Sequence, residues 1–151
     1  VTVDGKDVPV KLRIYDSLFV PMAKWSMLLT GNYQCVQRDG VRSIRDAVHS
    51  DLKASADMYS WVDQLASALG ADAADQVPFE KYAKAASSLL KPSSAARAID
   101  GGAKNIERVD LLVQRIAAAI GMQNDRLDET VATVNARLDT NRFETPVQIV
   151  A

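Results

Sequence analysis

The stretch from Ser43 to Leu69 is the sequence feature that most constrains the fold. Apolar or small side chains recur there every three or four residues, and Gly70 follows as a helix stop. Such spacing places one apolar stripe along a helix, and the stripe must be buried against other elements. At about 1.5 Å per residue the predicted helix is roughly 40 Å long, enough to form the spine of a small domain. The stripe comprises Ile44, Val48, Leu52, Ser55, Tyr59, Val62, Ala66 and Leu69.

In the rest of the central chain, apolar residues are again spaced as in helices, and proline, glycine and capping residues mark where each predicted helix begins and ends. Proline favours the first turn of a helix, serine and asparagine favour the N-cap, and glycine favours the C-terminal end. The sequence therefore predicts an all-α domain. Its other predicted helices are Pro21 to Asn32, Phe79 to about Leu90, a short helix capped by Ser93 or Ser94 and ended by Gly101-Gly102, one from the cap Asn105 to Gly121, and one from the cap Asn124 or Asp125 to Leu138.

The two ends of the chain follow other patterns. After the turn dipeptide Asp4-Gly5, the apolar residues Val8, Val10, Leu12 and Ile14 alternate with polar ones, which is typical of a hairpin or an edge strand. We predict a short extended or β-hairpin segment over residues 1–16, a helical domain over 17–140, and a polar, proline-interrupted tail over 141–151.

Composition excludes several classes of function. Eighteen basic residues against nineteen acidic ones give a net charge of −1, which provides no basis for binding nucleic acid or an acidic membrane surface. Cys35 is the only cysteine, so no internal disulfide forms. No apolar run approaches the roughly 20 residues of a membrane span, and no signal peptide or metal-binding motif is visible. These features predict a cytoplasmic protein without a metal.

Lys24 and Asn32 are the first candidate site residues. On one helix they lie within about 80° of the same face and roughly 12 Å apart along its axis. Leu28 lies between them, and Gly31 lets another backbone or a ligand approach closely. Apolar neighbours of Lys24 predict a partly desolvated ammonium group with a lowered pKa, suited to donating a proton.

A second group of candidates comes later in the chain. Ser93 and Ser94 open a predicted short helix, where hydroxyl and free amide groups can hold a carboxylate. Glu107 and Asp110 lie near the start of the next predicted helix. Each of these residues also has an ordinary structural role, as a helix cap or as a charge that complements the helix dipole.

The order of these residues resembles the C-terminal half of ketopantoate reductases (2-dehydropantoate 2-reductases). Lys24 falls on the family's catalytic lysine, and Asn32 falls on the second of its two asparagines. Ser94, in the pair Ser93-Ser94, falls on the substrate serine. Glu107, within Ile106-Glu107-Arg108-Val109-Asp110, falls on the substrate-binding glutamate. The resemblance covers about residues 8 to 140.

The chain departs from the family pattern at three points. The family's first asparagine is Leu28 here, and the methionine after its serine pair is Ala95. The spacing from Ser94 to Glu107 is one residue longer than usual, so Glu107 and Asp110 both remain candidates for the acidic role. The loss of one polar contact at Leu28 leaves open whether the substrate is ketopantoate or a related 2-oxo acid.

The resemblance implies a helical C-terminal domain of the 6-phosphogluconate-dehydrogenase-like type in an NADPH-dependent oxidoreductase, as in pantothenate biosynthesis. A separate N-terminal Rossmann domain would bind the NADPH, and residues 1–16 would be its remnant. Lys24 would give a proton to the C2 carbonyl oxygen of a 2-oxo acid, and the other candidates would hold the substrate. The chain lacks a G-x-G-x-x-G fingerprint. Alone it is therefore expected to be inactive and not to bind NADPH.

Two alternatives stay open beside this interpretation. One is a non-catalytic helical interaction or dimerisation module, and a homodimer is compatible with either function. The other is the C-terminal domain of a β-hydroxyacid dehydrogenase, which also has a catalytic lysine. Those enzymes usually carry a glycine-rich segment before the lysine helix and an asparagine four residues after the lysine, and neither is present around Lys24.

Overall fold

Helices make up most of the chain that the structure describes. The structure is a computed structural model, and it describes residues 2–3, 5–7, 14, 17 and 19–143. The mostly helical content agrees with the predicted all-α class. None of the helices in these ranges is both long enough and apolar enough to cross a membrane. The α-helices are α1 (Lys24–Met27), α2 (Ile44–His49), α3 (Leu52–Ala68), α4 (Phe79–Ala86), α5 (Ser94–Asp100), α6 (Val109–Ala119) and α7 (Asp125–Phe143).

A composite helix over residues 21–35 opens the helical part of the chain. A 3₁₀ turn (Pro21–Ala23) leads into α1, a π turn follows over Leu28–Asn32, and a second 3₁₀ turn covers Tyr33–Cys35. The amide of Tyr33 donates to the carbonyl of Leu28, the hydrogen bond that defines a π turn. The predicted helix from Pro21 to Asn32 is therefore confirmed, but it is not a uniform α-helix.

A side chain from another helix binds the backbone next to the π turn. Tyr82 of α4 donates its hydroxyl to the carbonyl oxygen of Met27 at 3.1 Å, the acceptor that a regular α-helix would offer to the amide of Gly31. A Cβ atom at residue 31 would overlap the Tyr82 hydroxyl oxygen, so only glycine fits there without rearrangement. A side chain inserted into the backbone hydrogen-bond ladder is an established cause of such an irregularity.

The segment 43–69 forms two helices, so the prediction of one long helix is wrong. α2 ends at His49, and Asp51 leaves the helical conformation with φ −145° and ψ 86°. The Asp51 carboxylate then accepts a hydrogen bond from the amide of Ala54 at 2.9 Å and caps α3. Aspartate is a strong N-cap residue, and this local hydrogen bond competes with continuing the helix. Leu52, assigned to the buried stripe, is 48% exposed.

Helix caps explain most of the remaining boundaries. Ser93 caps α5 and Asn124 caps α7, each by accepting a hydrogen bond from a backbone amide three residues later. The predicted cap at Asn105 is wrong, because α6 begins only at Val109. The side-chain oxygen of Asn105 instead accepts a hydrogen bond from Arg142 of α7.

Two helices end at other residues than expected. α4 stops at Ala86, four residues before the predicted end at Leu90. The hydroxyls of Ser87 and Ser88 donate to carbonyl oxygens of its last turn, which satisfies acceptors that a longer helix would have used. α7 continues to Phe143, beyond its predicted end, and residues 144–151 of the predicted tail lie outside the described residues.

The strands are short antiparallel pairs. β1 (Thr2–Val3) pairs with β2 (Lys6–Asp7) around Gly5, whose φ of 74° suits glycine, and this part of the predicted hairpin is confirmed. The predicted strand over residues 8–13 lies outside the described residues. Ile14, from the same alternating pattern, is almost fully exposed.

A second hairpin, which the sequence pattern did not indicate, follows the composite helix. Here β3 (Val36–Gln37) pairs with β4 (Gly40–Val41). Arg137 of α7 donates to the carbonyl oxygens of Gln37 at 2.9 Å and Gly40 at 2.7 Å, so the guanidinium holds the last helix against this turn.

The composite helix lies within the main hydrophobic core. Leu29 and Cys35 are fully buried, and Tyr33 is nearly so. They pack with buried residues of α2, α3, α5, α6 and α7. A smaller cluster joins α2, α3 and α4 around Tyr59 and Tyr82, whose rings stack at a centroid distance of 5.6 Å. The main cluster includes Ala47, Met58, Val62, Leu65, Ala96, Ile99, Val109, Val113, Ala117, Leu127, Val131, Val134 and Leu138.

The contact between Gly31 and Tyr82 gives the first prediction. We expect Gly31→Ala to destabilise the protein by about 3 kcal/mol, because the added methyl group collides with the Tyr82 hydroxyl. In a Tyr82→Phe background, which removes that oxygen, the same change should cost about 1 kcal/mol. Urea unfolding of the four proteins in this double-mutant cycle measures the coupling. Equal costs in both backgrounds would show that the hydroxyl does not set the packing at residue 31.

Candidate functional site

One cleft, here called cleft A, brings together three of the residues singled out in the sequence. Asn32 from the composite helix, Ser94 from the first turn of α5 and Glu107 from the loop before α6 all line it. The cleft has a volume of about 350 Å³, room for a small metabolite. Its lining residues are Leu28, Asn32, Tyr33, Ser94, Ala95, Ala98, Asn105, Ile106, Glu107 and Val109.

Lys24 lies one helical turn before the wall of cleft A. The amide of Leu28, which lines the cleft, donates to the carbonyl oxygen of Lys24, so the two residues share one face of the composite helix. The Lys24 side chain is exposed. The expectation of a partly desolvated ammonium group is therefore wrong for this chain, because the apolar neighbours Trp25 and Leu28 pack toward the core and leave the lysine outside.

The π turn changes how Lys24 and Asn32 are aligned. Eight residues of regular α-helix overshoot two full turns by about 80°. A π turn closes its hydrogen bond over one more residue than an α turn, so an α turn and a π turn together take up about eight residues. Asn32 consequently lies closer to the face of Lys24 and Leu28 than a uniform helix would place it.

Ser93 and Ser94 have different roles although they are adjacent. Ser93 is buried, caps α5, and donates its hydroxyl to the carbonyl oxygen of Asn32 at 2.7 Å. Its hydrogen bonds are thus used to fix the start of α5 on the composite helix, and it does not line cleft A. Ser94 is exposed and lines the cleft. Of the predicted serine pair, only Ser94 presents its side chain to a ligand there.

Glu107 is positioned by a tyrosine that the sequence analysis had not selected. The hydroxyl of Tyr33 donates to the carbonyl oxygen of Glu107 at 2.6 Å and accepts a hydrogen bond from the amide of Val109 at 2.9 Å. Glu107 therefore lies in a fixed loop, and its expected place in the first turn of a helix is wrong. Its carboxylate side chain is exposed at the cleft. The one sequence signal for Tyr33 was its place directly after Asn32.

Asp110 does not share the cleft with Glu107. Its side chain is fully buried in an ion pair with Arg108, with distances of 2.9 Å from Nε to Oδ1 and from Nη2 to Oδ2. Arg108 also donates to Asn135 of α7 at 2.7 Å. The structure thus places Glu107, and not Asp110, where a ligand in cleft A could meet a carboxylate. The prediction that Asp110 binds the substrate is therefore corrected, because its buried carboxylate is used in the ion pair with Arg108.

A larger cleft, here called cleft B, adjoins cleft A. Its volume is about 570 Å³, and both Asn32 and Ser94 line it as well. The two clefts therefore meet at these two side chains. The other residues that line cleft B are Ile44, Ser88, Leu89, Leu90, Lys91, Pro92, Ser93 and Arg97.

Three further features of the described residues do not add to the candidate site: the thiol of Cys35, the potential metal ligands and a third cleft. Cys35 is fully buried, its thiol donates to the carbonyl oxygen of Gly31, and burial raises the pKa of that thiol. No group of three or more histidine, cysteine, aspartate or glutamate side chains in the described ranges could hold a metal ion. A polar cleft between the β3–β4 hairpin and α7 contains Arg38, Arg126 and Glu129 but shares none of the candidate residues.

The two acidic residues should respond differently to mutation. We expect Asp110→Ala to destabilise the protein by about 3–5 kcal/mol, because it leaves the mostly buried Arg108 without its carboxylate partner. Glu107→Gln is the matched control, since its side chain is exposed, and its cost should stay within about 0.5 kcal/mol. Chemical denaturation of both variants tests the assignment. A small cost for Asp110→Ala would contradict a structural role for that ion pair.

The hydroxyl of Tyr33 should make stability depend on pH in the alkaline range. Burial is the main cause that raises the pKa of Tyr33 from 10.0 to about 12. The unfolded chain therefore loses this proton first, and stability falls as the pH rises from about 10 to about 12. In Tyr33→Phe the fall should be shallower by about 1 kcal/mol per pH unit. Urea unfolding at several pH values measures both slopes, and identical slopes would rule out this contribution.

Comparison of the chain with protein-family models, with curated proteins and with solved structures finds no match. What the chain can do must therefore be inferred from its own residues. Asn32, Ser94 and Glu107 at cleft A, with Lys24 one turn away, are the observations from which that inference starts.

Proposed function

We propose that this chain is the C-terminal substrate-binding and catalytic domain of an NADPH-dependent 2-oxo acid reductase that resembles ketopantoate reductase. The proposed fold is the helical domain of the 6-phosphogluconate-dehydrogenase-like type. The observation that supports the proposal best is cleft A, in which Asn32, Ser94 and Glu107 converge from three separate segments. A lysine on the same helix as Asn32 completes the set.

Each residue has a role that its chemistry allows. The Nζ atom of Lys24 would give a proton to the C2 carbonyl oxygen and stabilise the negative charge that develops there. Ser94 would donate its hydroxyl to the substrate carboxylate, and Asn32 would orient the substrate through its amide. The exposed carboxylate of Glu107 would accept a hydrogen bond from a hydroxyl group of the substrate.

The described residues do not form a Rossmann domain. Their strands are two short antiparallel pairs, whereas a Rossmann domain needs a parallel sheet with a glycine-rich turn before a helix. NADPH, which would supply the hydride, is therefore assigned to a separate N-terminal domain. Such a domain would lie over the exposed Lys24 and exclude water from it, so the exposure of this side chain is consistent with a site shared by two domains.

The alternative is a helical interaction module without catalysis. It is favoured by the exposure of Lys24, which in this chain is an ordinary solvated side chain. A β-hydroxyacid-dehydrogenase-like domain fits less well, because the glycine-rich segment that usually precedes the lysine helix in those enzymes is not present before Lys24. Activity of the complete protein separates the enzyme from the module.

The test uses the protein in which this chain is accompanied by its dinucleotide-binding domain. NADPH oxidation is followed with a panel of 2-oxo acids, and we expect Lys24→Ala to lower kcat by about 10²–10⁴ with a smaller change in KM. Glu107→Gln should mainly raise KM. Lys84→Ala, which removes an exposed lysine of α4 that lines neither cleft, is the control and should keep full activity.

Three results would contradict the proposal in whole or in part. Full activity of Lys24→Ala would remove the lysine from catalysis. Absence of NADPH oxidation with every 2-oxo acid, in a protein that binds NADPH, would leave the interaction module as the better account. Binding of NADPH by the isolated chain at micromolar concentration would contradict the assignment of NADPH binding to a separate domain.

A further inference from the structure

Cleft B contains two cationic side chains that have no partner among the described residues. Lys91 and Arg97 line it, and within the described part of the chain neither makes a hydrogen bond or an ion pair through its side chain. Several other arginines are engaged: Arg108 binds a carboxylate, and Arg137 binds two carbonyl oxygens. Two free cations on one concave surface favour an anionic ligand.

The same cleft also has an apolar part. Leu89 and Leu90 are 42% and 63% exposed, and Ile44 adds a third aliphatic side chain to the wall. A bare inorganic anion would leave this apolar surface in water. A hydrocarbon segment that ends in a carboxylate would cover the leucines and reach the cations, so cleft B suits an amphipathic acid.

The position of cleft B relative to Lys24 orients such a ligand. Along the composite helix the order is Lys24, then Leu28 at cleft A, then Asn32, which lines both clefts. One α turn and one π turn separate Lys24 from Asn32. A molecule whose carbonyl group is next to Lys24 therefore extends into cleft B with its opposite end.

We propose that cleft B binds the distal end of the substrate and that this end is a carboxylate on a hydrocarbon chain. The substrate class is then a 2-oxo dicarboxylic acid, with its 2-oxo group in cleft A and its far carboxylate between Lys91 and Arg97. This inference rests on the proposed function for the location of the 2-oxo group. The recognition of the far carboxylate depends only on cleft B.

Calorimetry on the chain itself tests the substrate class with three matched acids. 2-Oxoadipate has both ends, 2-oxohexanoate has the same carbon skeleton without the distal carboxylate, and adipate lacks the 2-oxo group. We expect 2-oxoadipate to bind about tenfold more tightly than 2-oxohexanoate. The Lys91→Gln/Arg97→Gln double variant should abolish that difference, and Lys84→Gln, the control outside the cleft, should preserve it.

The outcomes separate this inference from the proposed function. Equal binding of 2-oxoadipate and 2-oxohexanoate, both weakened by Ser94→Ala, would overturn the distal carboxylate and support the 2-oxo acid site. Equal binding of 2-oxoadipate and adipate, sensitive only to Lys91 and Arg97, would support carboxylate recognition at cleft B and overturn the proposed function. Inorganic phosphate binding as tightly as 2-oxoadipate, or no binding of any acid, would overturn the inference.

Discussion

The hydrogen bond from the Tyr82 hydroxyl to the Met27 carbonyl is the interaction on which the candidate site most depends. It lies at the π turn of the composite helix, where Gly31 leaves room for the incoming ring. The turn shifts the register of everything that follows it, including Asn32 and Tyr33. A π turn is less stable than an α turn by itself, so packing of α4 against this helix must maintain it. Burial raises the pKa of Tyr82 and keeps its hydroxyl protonated as a donor.

Two further hydroxyl groups attach the other cleft segments to the same helix. Ser93 binds the carbonyl of Asn32 and fixes α5, and Tyr33 binds the backbone on either side of Arg108 and fixes the loop before α6. Both hydroxyls act on the backbone, and both are largely buried, where an unpaired polar group would be costly. The hydroxyl groups of Ser93 and Tyr33 thus hold the segments of the cleft in place through hydrogen bonds to the backbone.

Local signals in the sequence predicted the helices better than their connections. The start at Pro21 was correct, and the two caps that were left open between neighbouring residues are Ser93 and Asn124. Each of these features depends on a hydrogen bond or a φ angle within one turn. The prediction of a single helix over 43–69 was wrong. The spacing of apolar residues every three or four positions continues across the break, whereas the break itself is caused by Asp51, which caps α3. The β3–β4 hairpin was not predicted. The hydrogen bonds from Arg137 to its carbonyl oxygens join residues about a hundred positions apart, and such contacts leave no local pattern in the sequence.

The same distinction applies to the candidate site. Asn32, Ser94 and Glu107 could be selected from the order of residues, and the fold brings them to one cleft. The choice between Glu107 and Asp110 could not be made from sequence, since both are acidic and three residues apart. It depends on which side chain Arg108 neutralises, a contact that exists only in the folded loop. The exposure of Lys24 likewise depends on how its apolar neighbours pack.

The start of α2 has a consequence for how the molecule could evolve. Because α2 starts at Ile44, the free amides of its first turn bind carbonyl oxygens of the 88–92 loop: Ile44 binds Lys91 at 3.2 Å, and Arg45 binds Leu89 at 3.0 Å. These bonds use main-chain atoms of the loop, and the side chains of Leu89, Leu90 and Lys91 are exposed. Substitutions at residues 89–91 can therefore change the surface of cleft B while the backbone of the loop stays in place.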